Sequence, residues 1–236
     1  MKLNKVLALA LSGVMAVSML AGCSGNPANG EQGGEGEQVP ATGVSVNVGN
    51  LIKADLDEDV NIDFVTFADD NVLDKALDYT MGKVGVVDTL RGYMAFKTLK
   101  ELPSTDVVYS TMMEKMDVTD DTWVKGYNGT NTTENSIGYV TAATDGENAT
   151  AVRVYAISDA ISEEVIEEYV AKDLSDDIVT YRHYDPDGDN WYYDYTVSVS
   201  MSSKTVNTSS IVGTGATDPT ITFVAVQVVR EARTQD

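Results

Sequence analysis

The chain of 236 residues holds one cysteine, Cys23, so no intrachain disulfide can tie its segments together. Whatever it folds into must be held by buried apolar surface. The same count leaves the folded part without a thiol nucleophile or a cysteine-based metal cluster. There is one histidine, His183. A multi-histidine metal site is therefore excluded, and any Ser-His-Asp triad would have to run through that residue. The length is compatible with one or two domains. Hydrophobic residues make up 43% of the chain, which is enough for a packed core and more than disordered chains carry.

The charge balance excludes a class of partner. The formal net charge is −21. Two of the sixteen basic residues, Lys2 and Lys5, lie in an acid-free N-terminal segment, leaving fourteen basic against 37 acidic residues, near −23. A surface of this sign repels nucleic acid and anionic headgroups, attracts cations and keeps a protein soluble. The plainest reading is a solvated acidic surface with no specific partner.

Lys2 and Lys5 precede an unbroken apolar and small-residue stretch, Val6 to Leu20, followed by Leu20-Ala21-Gly22-Cys23. A positive start, an apolar centre and small residues before a cleavage point define a secretory signal. The stretch is shorter than the ~20 apolar residues of a spanning helix. Leu-Ala-Gly-Cys resembles the lipobox of bacterial lipoproteins. That resemblance covers residues 1–23. It implies removal of residues 1–22 as a signal peptide and attachment of a diacylglyceryl group to Cys23. The lipid would anchor the chain on the extracytoplasmic side of a membrane, at the cell surface or in a periplasm. Residues 23–43 then read as a lipid-anchored linker. Gly, Glu, Gln, Asn and Pro offer almost nothing to bury, and as a random coil the segment would reach roughly 25 Å.

Residues 44–236 read as a single α+β domain, helical over 44–117 and sheet-rich over 136–232, with an antiparallel sheet and one packed helix. Leu73, Ala76, Leu77, Val84, Val87, Leu90, Met94 and Leu99 approximate a helical stripe between Asn71 and Leu102. Asp69, Asp70 and Asn71 are capping residues at its start, and the run is either one helix or two broken near Gly82. A second helix is expected over Ser104 to Met116. Ile137–Thr144 and Thr150–Ile157 flank Asp145-Gly146-Glu147-Asn148 as a hairpin. Ser162 opens a helix with Val165, Ile166, Tyr169, Val170 and Leu174 on one face, and Ile178–Tyr184 reads as a strand. From Trp191 to Met201 apolar and polar residues alternate, the pattern of a half-buried antiparallel strand. Thr205–Val212 suits an exposed strand. Thr220–Val229 is apolar on both faces and reads as a central one.

Four groups of residues could carry chemistry. Asp185, Asp187 and Asp189, spaced as Asp-x-Asp-x-Asp, could present oxygens to calcium. Asn190 stands where a calcium loop wants Gly, however, and the twelfth position is Thr196 instead of Glu. The same Asp-Pro-Asp-Gly is a turn between strands. His183, on a strand face with Val179, Tyr181 and Asp185, reads as a packing residue or, with a neighbouring carboxylate, a base. No Gly-x-Ser-x-Gly elbow accompanies it. Among Tyr181, Tyr184, Trp191, Tyr192, Tyr193 and Tyr195, only Tyr184 and Tyr192 fall on wet faces. The group is core with a residual glycan or peptide surface. Asp55, Asp57, Glu58, Asp59 and Asp63 form a solvated run or a cation site. Sequons at Asn128, Asn131, Asn148 and Asn207 are compositional in a bacterial lipoprotein.

No nucleophile, phosphate-binding or cofactor motif appears, and no cofactor is expected beyond the calcium option. The expectation is a membrane-tethered extracytoplasmic domain that binds a protein or glycan partner or serves envelope structure. The rival is a surface hydrolase using carboxylates or calcium, which would need carboxylates converging in one pocket.

Overall fold

Strands form where apolar residues repeat every second position, and here that pattern builds one sheet with two covered faces. The computed structural model describes residues 43–84, 87–116, 137, 140–141, 146–158, 161–184, 191–206 and 218–234. These fall within one compact unit, Pro40–Asp236. The elements in chain order are α1 (Val44–Asp55), β1 (Val65–Phe67), α2 (Asn71–Val84), α3 (Val87–Leu90), a 3-10 turn (Arg91–Tyr93), β2 (Lys100–Glu101), α4 (Val107–Lys115), β3 (Ala149–Ser158), α5 (Glu163–Ile178), β4 (Trp191–Thr205) and β5 (Thr220–Thr234).

The sheet order is β1-β4-β5-β3-β2. β5 is central. It pairs antiparallel with β4 from Trp191↔Thr234 to Thr205↔Thr220, and with β3 from Ala149↔Arg230 to Ser158↔Ile221. Val224, Val226 and Val228 project to one face, with Tyr155, Tyr195, Val197 and Val199 beside them. Val48 and Ile52 of α1 and Ile166, Val170, Leu174 and Ile178 of α5 cover that side. Ile221, Phe223 and Ala225 project to the other face beside Val152 and Val154. There they meet Leu73, Leu77 and Met81 of α2 and Val108 and Met112 of α4. The result is a helix–sheet–helix sandwich of the α+β class.

Several expectations are corrected in detail. The sheet is mixed, because β1 joins β4 in parallel, Val65↔Tyr195 to Phe67↔Val197. Four helices pack on it, two per face, where one was expected. β1 and β2 lie inside the stretch expected to be helical. The helical run from Asn71 is divided, as the second alternative has it, with α2 ending at Val84 and α3 and the 3-10 turn reaching Tyr93, but Lys100–Glu101 pairs with Tyr155–Ala156 as strand. Residues 178–184 do not form a strand. Ile178 continues the apolar stripe of Leu174 and Ala171, so α5 runs through it, and only Tyr184 makes an isolated bridge, to Tyr192. The second polar face of β4 is not wholly wet either, since Ser198 and Ser200 are buried. The strand expected over 205–212 lies outside the described residues beyond Val206, as do residues 142–145 of the expected hairpin.

Helix starts follow from the capping residues. Asp70 Oδ1 accepts from Val72 N at 2.7 Å, and Asp106 Oδ1 accepts from Val108 N at 2.8 Å. Gly146 of the expected hairpin turn does adopt φ +76°, and its missing side chain makes room for the Trp191 indole. Gly49 likewise lets α1 lie on the Phe67 ring.

Ser45 fastens α1 to the sheet edge. Its Oγ accepts from Val199 N at 2.9 Å and donates to Val199 O at 3.3 Å, all buried. Ser45→Ala leaves both backbone groups of Val199 dry and unpaired. A loss of about 1–3 kcal/mol is expected in denaturant unfolding. A loss within experimental error of zero would show that α1 does not depend on this contact.

Candidate functional site

Arg153 is the one charged side chain inside the apolar run Ala151–Ile157 of β3, and it is 2% exposed. Its neighbours explain how the charge is tolerated. α5 presents Asp173 and Asp177 one turn apart toward the sheet. Arg153 Nη1 donates to Asp173 Oδ2 at 2.6 Å and to Tyr155 Oη at 3.0 Å. Nη2 lies 2.8 Å from Asp177 Oδ2, and Nε lies 3.6 Å from Glu101 Oε1 of β2. Tyr155 in turn donates its hydroxyl to Asp173. Burial disfavours the guanidinium charge, but Tyr155, Asp177 and Glu101 outweigh it and hold the Arg153 pKa above its ordinary value. Burial raises the Glu101 pKa, and Asp173 and Asp177 add to the rise against the opposing pull of Arg153. Three carboxylates share one cation.

A second arginine, Arg230, is equally buried. Its guanidinium lies 4.6 Å from the centre of the Tyr193 ring, and Nη2 donates to Glu147 O at 2.8 Å.

The residues singled out in the sequence gather at the other end of β4. Tyr181 stacks on Tyr195 at 4.5 Å, and both are buried. Burial raises the pKa of each, that of Tyr195 to about 12. From there the rings continue outward. Phe64 meets Tyr195 at 5.9 Å and His183 at 5.2 Å, His183 meets Tyr192 at 5.5 Å, and Tyr192 meets Tyr184 at 4.9 Å. Tyr184 is exposed as expected, whereas Tyr192, expected on a wet face, is half-buried like Trp191. His183 Nδ1 stands 3.0 Å from Tyr193 O. A carbonyl only accepts, so this nitrogen carries the proton and is committed to the backbone. Asp194 Oδ1 is 3.6 Å away, yet Asp194 is gripped by Arg233, with Nε donating at 2.6 Å and Nη2 at 3.4 Å. Arg233 also covers Tyr192 at 5.7 Å. The expected strand face joining His183 to Val179 is replaced by this ring ladder. It is a surface of aromatic edges beside the Asp194–Arg233 ion pair.

Asp185, Asp187, Asp189 and Cys23 lie outside the described residues. Asp55, at the end of α1, and Asp57, Glu58, Asp59 and Asp63 after it are all exposed. Among the described residues no group of three His, Cys, Asp or Glu side chains is arranged to hold a metal, and no helix is long and apolar enough to cross a membrane. The carboxylates that do converge, Glu101, Asp173 and Asp177, converge on a guanidinium. The Arg153 cluster was missed in the sequence, where its signal was a lone charge in an apolar strand. No protein-family model matches the chain, and no similarity was found to a curated protein or to a solved structure.

Two measurements probe these charges. Arg153→Met removes the shared cation. Asp173 is half in water, so the cost is expected at about 2–4 kcal/mol near neutral pH, somewhat below that of a fully buried pair. The cost should shrink as pH falls through the carboxylate range, and a pH-independent loss would point to packing instead. Glu167 of α5 is 8% exposed and accepts from Asn47 Nδ2 at 3.1 Å. Burial, then Glu164 and Glu163, raise its pKa against the Asn47 hydrogen bond. A raised folded-state pKa means its stabilising contribution is whole below the unfolded value of about 4.3 and is lost as pH rises through the folded one. Glu167→Gln keeps the Asn47 acceptor. The variant should match the parent near pH 4 and exceed it near pH 7, whereas a constant gap would contradict the assignment.

Proposed function

We propose that the chain is a membrane-tethered extracytoplasmic lipoprotein whose folded domain binds a partner without catalysing a reaction. The observation that carries this reading is Leu20-Ala21-Gly22-Cys23, where the only cysteine of the chain stands at the lipid-accepting position behind an apolar signal. The acidic, glycine-rich stretch that follows suits a spacer between lipid and domain. Two or three acyl chains, at about 0.8 kcal/mol per buried CH₂, hold such a molecule stably. The chemistry at the ends of β3 and β4 fits binding better than turnover. The carboxylates around Arg153 are engaged with its charge, the His183 Nδ1 proton points at a backbone carbonyl, and Asp194 is held by Arg233. The Tyr184–Tyr192–His183 edge is the surface to which partner contact is assigned.

The anchor is tested by expressing the full chain and its Cys23→Ala variant in a bacterial host fed labelled palmitate. The parent should incorporate label, lose its signal and partition into a detergent phase. The variant should do none of these. Undiminished labelling and partitioning of Cys23→Ala would overturn the reading.

A further inference from the structure

The charges of this domain are unevenly shared between its two helical layers. Residues 44–64 and 161–184, which contain α1 and α5, hold twelve acidic and three basic residues. Residues 71–116, which contain α2 and α4, hold six of each. On α2, the residues Val72, Lys75, Tyr79 and Lys83 follow one another at spacings of three and four and form a single outward stripe. Val72 is 57% exposed and Tyr79 42%. Lys83 Nζ lies 5.5 Å from the centre of the Tyr79 ring, and Lys115 Nζ from α4 lies 5.1 Å from it. Among the described residues none of Lys75, Lys83 and Lys115 forms an ion pair with a carboxylate, although the chain holds 37 acidic residues. Of the nearby acids, Asp78 accepts from Ser202 Oγ at 3.3 Å, Asp70 caps the helix from the residue before it, and Asp74 is half-buried.

We propose that this stripe docks the tethered domain on the anionic headgroups of its own membrane, α2 and α4 inward and α1 and α5 outward. The proposal rests on the lipid-anchor reading for its choice of partner. A chain fixed at Cys23 and folded from Gly43 keeps the domain within roughly 25 Å of the bilayer, and a linker of that reach lets either face turn to it. Charge decides which face does. Each lysine near an anionic surface strengthens attachment roughly five-fold, and three together about a hundred-fold. The acidic layer on the far side of the sheet stands about two helix diameters away, roughly 20 Å. That exceeds twice the screening length of about 8 Å at physiological salt, so its repulsion hardly reaches the bilayer in this orientation and opposes the inverted one. Tyr79, between the lysines, is a residue of the kind that settles at a membrane–water boundary, and Val72 ahead of them adds an exposed apolar side chain.

The test uses the polypeptide from Ser24 onward, which contains every described contact and neither signal nor lipid, so its result does not depend on Cys23. Flotation compares vesicles of phosphatidylcholine with vesicles that also contain phosphatidylglycerol. The expected result is roughly ten-fold or greater preference for the anionic vesicles, lost in the chain carrying Lys75→Glu, Lys83→Glu and Lys115→Glu. Binding should also vanish in about 1 M salt, where screening acts within about 3 Å. A polarity-sensitive fluorophore on Val72→Cys should shift to the blue on binding, while one on Tyr169→Cys of the acidic layer should not. Equal responses at the two positions, or no preference for phosphatidylglycerol, would overturn the proposal. Binding to soluble dextran sulfate without binding to vesicles would overturn it too, in favour of an anionic polymer. Failure of the anchor is read separately, from the Cys23→Ala chain.

Discussion

β5 cannot be left with either face open. Val224, Val226 and Val228 on one side and Ile221, Phe223 and Ala225 on the other are all without solvent exposure. Burying a large aliphatic or aromatic side chain contributes about 1.5–3 kcal/mol. A strand of this kind therefore requires a neighbour along each edge and a helical layer over each face. β4 and β3 supply the edges. α1 and α5 cover one face, α2 and α4 the other. The parallel attachment of β1, which no alternation pattern announced, follows from the same demand. After α1 crosses one face and before α2 crosses the other, the chain passes the β4 edge and pairs there for three residues.

The covering layers then determine where charge can go. α5 has its apolar stripe against the sheet and seven acids on the remainder, two of which reach back to Arg153. A guanidinium inside an apolar layer is tolerated only when it is paired and hydrogen-bonded. Burial chiefly raises the Glu101 pKa, and the neighbouring Asp173 and Asp177 add to the rise against the pull of Arg153. The layer of α2 and α4 carries no excess of acids, and among the described residues Lys75, Lys83 and Lys115 form no ion pair with a carboxylate. The electrostatic asymmetry of the molecule is thus a consequence of which helix covers which face.

How much of this was legible in the sequence depended on the range of the cause. The central placement of β5, the inward face of β4 at Tyr193, Tyr195, Val197 and Val199 and the start of α5 at Ser162 follow from local periodicity, and the structure has them. The end of α5 did not, because Ile178 and Tyr181 suit a strand as well as a helix and only packing against the sheet decides. β2 is two residues long and exists because Glu101 and Lys100 lie beside Tyr155 and Ala156, a contact more than fifty residues away in sequence. The Arg153 cluster joins β2, β3 and α5, and no single segment displays it. A lone arginine between Val152 and Val154 was the one available signal.

The sheet ends in very short strands on both sides, three residues in β1 and two in β2. An edge strand presents unpaired donors and acceptors to other chains, and shortness is one of the means by which proteins limit that hazard. Here the long inner strands are finished off by other groups. His183 O accepts from Tyr193 N, Phe64 O accepts from Tyr195 N, and Ser45 serves Val199 along the outer side of β4. Beyond Val199 the edge continues through Met201 to Thr205 and carries Lys204, a charged residue of the sort that discourages strand addition. With no disulfide to confine the chain, protection against edge pairing falls to these caps and to a net charge that keeps copies apart. An acidic surface on one layer and capped edges around the sheet leave the lysine and tyrosine stripe of α2 as a face that neither device closes.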